Sequence, residues 1–205
     1  MKPELYPANM RRWLGVVIAV VVVMGITGCT PAIGGMTGVS VDAEGHPIIV
    51  LAWCDGATPD GVIVYHDEDT SGVPDVGISG ESSALPSITS STKVVDDVRF
   101  SAPSLDGQSA SVRLDVPTDG WTVQPRPFVM VPGVEYHAFG GRRDNNFSTA
   151  HVSFTVGDIA KLKPGVVLLQ QYDEKATPGG DWVDVTISQE EFDRQGQERS
   201  SCAGN

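Results

Sequence analysis

Short stretches in which apolar and polar residues alternate are the feature that most constrains the fold of this chain. The clearest is residues 110–116, whose sequence Ala-Ser-Val-Arg-Leu-Asp-Val alternates over its whole length. A period of two places successive side chains on opposite faces of a strand, so this pattern predicts a half-buried β-strand. Turn-forming pairs such as Asp119-Gly120 and Pro132-Gly133 separate the stretches. The chain therefore favours short strands joined by tight turns.

About ten such segments predict an all-β fold, an antiparallel β-sandwich that is immunoglobulin-like in the broad architectural sense. The first three strands are expected to form an antiparallel meander, and the Cys-Trp-Cys spacing of true immunoglobulin domains is absent because Trp53 directly precedes Cys54. The predicted strands span residues 39–42, 47–53, 62–65, 93–100, 110–116, 121–123, 128–131, 134–139, 152–156, 166–171 and 182–187.

Two short helices interrupt the strand pattern near the C-terminus. Asp158 is a predicted N-cap for a single turn over residues 159–162, which Pro164-Gly165 ends. Ser188 followed three residues later by Glu191 predicts a capping box for a helix through about Gln195. Helix is thus a minor component.

The first 28 residues have the composition of an export signal. Lys2, Arg11 and Arg12 form a basic region, and residues 13–26 form an apolar run. A membrane-spanning helix needs about 20 apolar residues. This shorter run is typical of the apolar region of a secretory signal peptide.

The run closes with Ile26-Thr27-Gly28-Cys29. This ending resembles the lipobox of bacterial lipoproteins, in which an aliphatic residue, two small residues and a cysteine direct lipid attachment and cleavage. The resemblance implies that residues 1–28 are removed and that Cys29 is the lipidated first residue of the mature protein. Residues 29–38 are then a tether, residues 39–205 a single domain, and the location is the extracytoplasmic side of the cell membrane. The alternatives left open are an uncleaved anchor, in which Cys29 is an ordinary cysteine, and either the general or the twin-arginine export route.

The charge of the chain excludes several classes of partner. The formal net charge is −12. The predicted signal holds three basic residues and Glu4, a net +2, so the mature part carries −12 − 2 = −14. Nucleic acid is excluded as a partner because phosphate binding needs a basic surface. An anionic membrane surface would also repel the protein, so the lipid on Cys29 is the expected membrane contact.

Only Cys54 and Cys202 remain for the folded domain once Cys29 is assigned. Two cysteines in an oxidising compartment predict a disulfide. The alternative is that Cys54 is a buried free thiol and Cys202 lies in a disordered tail.

Residues 67–92 are rich in acidic residues, Ser, Gly and Pro and predict a long mobile loop. Within it, residues 67–75 resemble a fragment of the calcium loops of extracellular proteins, with a glycine in sixth position. Ile78 occupies the twelfth position, where such loops have Glu. Calcium is the cofactor that this pattern suggests, and a solvated acidic loop is the alternative. The ligand positions would be Asp67, Asp69, Ser71 and Asp75.

Arg142 and Arg143 are the paired arginines of the mature chain, in a polar loop at residues 140–146. Arginine side chains can hold a carboxylate or phosphate group of a ligand. The alternative is that they balance acidic charge at a hairpin end.

No catalytic motif is present. Gly77-Ile78-Ser79-Gly80 lacks the spacing of a nucleophile elbow, and the four histidines occur singly, so a zinc site would need the fold to gather them. We therefore expect a non-catalytic lipoprotein that binds an envelope protein or polymer or supports a membrane complex. The alternative is an envelope hydrolase whose acidic residues converge in three dimensions.

Overall fold

The computed structural model describes residues 32–69, 92–124, 128–144, 147–198 and 202. Cys29 and the predicted signal lie outside these residues. Within them the chain forms eleven strands and two short helices. The strands are β1 (Ala32–Val41), β2 (Pro47–Trp53), β3 (Gly61–Asp69), β4 (Thr92–Ser101), β5 (Ser109–Arg113), β6 (Thr122–Gln124), β7 (Tyr136–Gly141), β8 (Phe147–Ala150), β9 (Val152–Phe154), β10 (Val166–Asp173) and β11 (Asp181–Ser188), and the helices are α1 (Val156–Ile159) and α2 (Gln189–Gln197).

The strands belong to one curled, mixed sheet. Its continuous path runs β11-β10-β1-β8-β7-β3-β4-β6, with β2 pairing β1 and β5, and β9 pairing β7. The all-β prediction is confirmed, whereas the expectation of purely antiparallel pairing is wrong, because β1 and β8 run parallel. This parallel contact joins the two halves of the sheet. No helix in the part of the chain that the structure describes has the length and apolar character needed to cross a membrane.

The predicted hairpin between the first two strands is confirmed, with Val41 opposite Pro47. However, β1 begins at Ala32, so residues 32–38 of the predicted tether are part of the sheet. Their glycines serve close packing. A Cβ at Gly35 would overlap the carbonyl oxygen of Ala52, and one at Gly38 would overlap the side chain of Val167.

The expected meander of the first three strands is wrong. Strand β3 pairs with β4 and β7, and β2 pairs with β5 instead. The segment between β2 and β3 crosses to the other half of the curled sheet, and Cys54 and Ala57 are buried along it. Residues of both halves can then share one apolar core.

The main core takes residues from both halves of the sheet. From β1, β2 and β5 it takes residues such as Val39 and Trp53, and from β3, β4, β7 and β9 residues such as Phe100 and Phe154. A smaller cluster on the opposite face of β2 and β10 is covered by α2, whose Phe192 is fully buried there. The sheet therefore has apolar contacts on both faces around β2.

Both predicted helices are present, but α1 spans Val156–Ile159 and not residues 159–162, and the Glu191 carboxylate pairs with Arg194 instead of completing a capping box with Ser188. Thr155, and not Asp158, is the N-cap of α1, while Asp158 completes a capping box with it. Ser188 is the N-cap of α2 as predicted, with its hydroxyl accepting from the N–H of Glu191. Residues 128–131 were predicted as a strand, but they are irregular and are followed by a turn at Pro132-Gly133.

Cys54 and Cys202 are joined as a disulfide, with their Cα atoms 6.3 Å apart. Cys202 also forms a backbone bridge with Gly34 of β1. The C-terminal end is thus attached where β1 and β2 meet.

Candidate functional site

An open cavity of about 400 Å³ lies at one end of β3, β4, β7 and β8. We call it the arginine cavity, because Arg99, Arg142 and Arg143 line it together with the apolar side chains of Ile63, Phe139 and Phe147. Asp60 is the single acidic residue in its lining, so the lining carries three positive charges and one negative charge, a net +2. This local excess of positive charge contrasts with the net charge of −12 for the whole chain.

Asp60 holds the wall of the cavity in place. Its backbone N–H donates to the carbonyl of Gly141, and its carbonyl accepts from the N–H of Ala102. Its carboxylate Oδ2 accepts from the backbone N–H of Arg143 at 3.0 Å. One residue therefore joins the ends of β3, β4 and β7 and positions the loop that begins at Arg142.

Gly61 allows the strands at the cavity to approach each other. It pairs with Ser101 of β4 and with Gly141 of β7. A Cβ at this position would overlap the carbonyl oxygen of Phe100. Glycine is therefore the residue that fits between the two neighbouring strands.

Arg142 is held in a defined orientation. Its Nη1 donates to the carbonyl of Gly56 at 3.2 Å and its Nη2 to Asp144 Oδ2 at 2.9 Å. The guanidinium carbon lies 5.9 Å from the centroid of the Phe147 ring, within the range of a cation–π contact. The Nε atom is buried and has no hydrogen-bond partner among the described residues. Two of its five N–H donors are thus paired, and a guanidinium held in this orientation is suited to binding an anionic group through its remaining donors.

Arg99 and Arg143 complete the positive side of the cavity. Within the part of the chain that the structure describes, Arg99 makes a loose ion pair, 3.7 Å from Asp96 Oδ2, with 61% of its side chain exposed. Arg143 is exposed, and Asp60 holds its backbone. Both side chains are therefore available to a ligand.

The three arginines differ in how far the sequence could identify them. Arg142 and Arg143 were predicted as a ligand-contact loop, and the structure places them together at the arginine cavity. Arg99 was missed because it is distant in sequence. It enters the site through strand pairing, since Arg99 lies opposite Ile63 and Ile63 lies opposite Phe139. Only this register identifies it.

A second cluster, the histidine face, consists of Tyr65, His137, Phe139 and His151 on β3, β7 and the residue before β9. The Tyr65 hydroxyl is 3.0 Å from His151 Nδ1, and the Tyr65 and His137 rings stack at 5.0 Å. The rings of Phe139 and His151 stack at 4.4 Å. Phe139 thereby belongs to both the arginine cavity and the histidine face.

The surroundings of the histidine face shift two pKa values. Burial, together with the positive charge of protonated His137, lowers the pKa of His151. Burial and the negative charge of Asp67 raise the pKa of Tyr65. Both shifts favour the uncharged forms of these side chains.

The structure thus gathers two histidines that the sequence presented singly. His137 also approaches a serine and an aspartate: its Nδ1 is 2.8 Å from Ser153 Oγ, and its Nε2 is 3.8 Å from Asp67 Oδ2. Ser153 does not line the arginine cavity.

The other two histidines each pair with a carboxylate. His66 Nδ1 is 2.7 Å from Asp97 Oδ2. In the turn after β1, Asp42, Glu44 and His46 have ligand atoms within 4.8 Å of one another. The Asp42 carboxylate already accepts from the backbone N–H groups of Glu44 and His46 and lies 3.9 Å from Arg113 Nε. These contacts define a capped turn beside a positive charge, which disfavours a cation there.

The predicted calcium ligands do not form a described loop. Asp67 lies in β3, with its carboxylate directed to His137, and Asp69 is the last residue of that strand. Ser71 and Asp75 lie outside the described residues. The first three residues of the predicted loop, 67–69, are therefore strand, because they pair with Val94, Lys93 and Thr92 of β4.

No protein-family model, curated protein or solved structure matches this chain.

Proposed function

We propose that the protein is an exported, lipid-anchored, non-catalytic binding module at the cell envelope, and that the arginine cavity is its ligand-binding site. The observation that carries this proposal is the convergence of Arg99, Arg142 and Arg143 on one apolar-floored cavity of an acidic protein. Arginine recognises carboxylate and phosphate groups through paired N–H donors. The ligand is an anion with an apolar portion that packs on Phe139 and Phe147.

The anchored location rests on the lipobox-like ending at Cys29 and on the export signal before it. The Cys54–Cys202 disulfide supports it, since such bonds persist in oxidising compartments. We infer attachment to the cell membrane on its extracytoplasmic side, with an envelope protein or polymer as the source of the anionic group.

For the fold, we further infer a β-sandwich, immunoglobulin-like in architecture alone. Supporting this, the core takes residues from β1, β2 and β5 on one side and from β3, β4, β7 and β9 on the other.

Binding is tested by calorimetry, in which phenylphosphate is titrated into the full chain purified from membranes. Arg142→Gln should weaken binding about tenfold or more, because a guanidinium that pairs with an anion is lost. Arg194→Gln is the matched control, since Arg194 lies on α2 and pairs with Glu191. Equal affinities of wild type and Arg142→Gln would refute the assignment of the cavity.

Anchoring is tested by the intact mass of the same preparation beside Cys29→Ala. We expect a chain that begins at Cys29 with a lipid-sized increment, and no such increment in the variant. An unprocessed, unmodified chain would contradict the lipoprotein assignment while leaving the binding test unaffected.

A hydrolase is the second candidate, favoured by the contacts of His137 with Ser153 and Asp67. In such an enzyme His137 would accept the proton of the Ser153 hydroxyl as it attacks a substrate. An organophosphonate that labels Ser153 in the wild type, and not in His137→Gln, would support hydrolysis. Absence of labelling would favour the binding module.

A further inference from the structure

Two large aromatic side chains stand exposed at the end of the β10–β11 hairpin. Tyr172 and Trp182 lie directly opposite each other across the two strands. Their ring centroids are 5.7 Å apart, with an angle of 67° between the ring planes. Their exposed fractions are 53% and 64%. The two rings therefore form an exposed aromatic pair, separate from the arginine cavity.

The turn that follows β10 holds the Tyr172 ring of this pair in place. The Tyr172 hydroxyl donates to the carbonyl of Gly179 at 2.5 Å. A Cβ at Gly180 would overlap that hydroxyl, so the Tyr172 ring would have to shift if residue 180 carried a side chain. Thr177 closes the turn, with its hydroxyl donating to the carbonyl of Gly180 at 2.8 Å. The Tyr172 ring, held in this way, loses little freedom when a partner binds.

Negative charge surrounds the ring pair. Residues 172–184 contain four acidic residues and Lys175, a net charge of −4 + 1 = −3. Asp173 and Asp181 lie directly opposite each other, next to the rings. Neither forms an ion pair with a described residue: each carboxylate accepts a backbone N–H, from Lys175 and Trp182 respectively. Like charges opposite each other destabilise a strand pair. A positively charged partner would therefore reduce the repulsion between these two carboxylates.

The location suits a partner that approaches from outside. In the described sheet β11 is a terminal strand with β10 as its only neighbour. Exposed tyrosine and tryptophan are typical of contact surfaces because they combine a large apolar area with a polar group. The acidic surroundings disfavour anionic lipid and nucleic acid as the occupant.

We propose that Tyr172, Trp182, Asp173 and Asp181 form a docking surface for a basic segment of a partner protein. A Lys or Arg side chain of that segment lies against the aromatic rings, where the ring faces attract a cation. The neighbouring carboxylates pair with the same or an adjacent positive charge. This surface is independent of the arginine cavity, which is suited to ligands of the opposite charge.

The test uses the full chain in detergent and a fluorescein-labelled Arg-Gly repeat peptide, with a Ser-Gly repeat peptide as the neutral comparison. Fluorescence anisotropy should show that the protein binds the Arg-Gly peptide and does not bind the Ser-Gly peptide. Trp182→Ala and Tyr172→Ala should each weaken it at least about fivefold through loss of the cation–π contact. The double variant Asp173→Asn, Asp181→Asn should weaken it and reduce its dependence on salt.

Two matched controls separate the site from general surface effects. Val129→Ala removes an apolar side chain that is 79% exposed elsewhere, and Glu135→Gln removes an exposed carboxylate outside the hairpin. Both should bind the peptide as the wild type does. Trp182→Phe keeps an aromatic face and should retain more affinity than Trp182→Ala, which excludes misfolding as the cause.

Three results would overturn the proposal. One is no binding of the Arg-Gly peptide by the wild type. Another is equal binding by wild type and Trp182→Ala. The third is Trp182-dependent binding of a neutral oligosaccharide such as maltohexaose without binding of the peptide, which would identify a sugar-binding surface instead.

Discussion

The side-chain amide of Gln170 pairs with both backbone polar groups of Ser153. Gln170 Oε1 accepts from the Ser153 N–H at 2.6 Å, and Gln170 Nε2 donates to the Ser153 carbonyl at 2.9 Å. Strand β9 pairs with β7 along its other edge. The amide on β10 therefore takes the place of a backbone neighbour for β9 and connects it to the β10–β11 hairpin.

Gln170→Ala should destabilise the protein by about 1–3 kcal/mol, because two half-buried backbone groups lose their partner. Urea unfolding followed by tryptophan fluorescence measures the change. Gln171→Ala is the control, since its side chain points to the opposite face of β10, and its effect should stay within about 0.5 kcal/mol. Equal losses for the two variants would show that the Ser153 pairing contributes nothing specific.

Reduction of the Cys54–Cys202 disulfide should lower the free energy of unfolding substantially. The bond spans 148 residues. In the loop-entropy model, closing a loop of this length in the unfolded chain raises the free energy of unfolding by about 4–5 kcal/mol. Denaturant unfolding with and without reductant measures the difference. A Cys54→Ser, Cys202→Ser double variant should match the reduced protein and be insensitive to reductant.

Gly196→Ala should destabilise the contact between α2 and β2. A Cβ there would lie 2.5 Å from the Cβ of Ala52 and 3.0 Å from its carbonyl oxygen. Overpacking costs about 1–3 kcal/mol, and the gain in helix propensity of about 1 kcal/mol offsets part of it. We expect a net loss of about 1 kcal/mol in thermal or urea unfolding.

Gly157→Ala in α1 is the matched control for that substitution. The nearest atom to a Cβ at Gly157 is Thr155 Oγ1 at 3.5 Å, an ordinary contact. This variant should be as stable as the wild type or more so. A stabilised Gly196→Ala would mean that α2 can shift away from Ala52.

Protonation of His151 should oppose folding. Burial and the charge of His137 lower its pKa below the ordinary value of 6.5. The unfolded chain then binds a proton more readily than the folded protein, so stability decreases as the pH falls through 6.5, and the loss is complete below the folded pKa. His151→Gln should reduce this dependence in unfolding measured between neutral and acidic pH.

The pKa itself can be measured by NMR titration of the imidazole. His137→Gln should raise the pKa of His151 towards 6.5, because the neighbouring positive charge is removed. An unchanged pKa would show that burial alone causes the shift.

Most of the local predictions came from the alternation of apolar and polar residues and from the positions of turn-forming residues. The turn between β1 and β2 and the bounds of β2, β10 and β11 were predicted close to those observed, because turn residues flank each segment. The predicted strand over residues 110–116 ends at Arg113, and Val116 is exposed. The alternation continues to Val116, but pairing with β2 ends earlier. Pro47 is the first residue of β2, and its carbonyl accepts the N–H of Leu114.

The sequence by itself determined that this chain is rich in strands and that Ser188 caps its second helix, because these depend on local periodicity and capping. Only the tertiary structure decided the parallel pairing of β1 with β8 and the meeting of Arg99 with Arg142. The gathering of His137 and His151 around Tyr65 was decided in the same way. The physical reason is that alternation fixes the two faces of a strand but leaves its neighbours open. Burial of both halves of the sheet selects those neighbours and therefore the side chains that share a site.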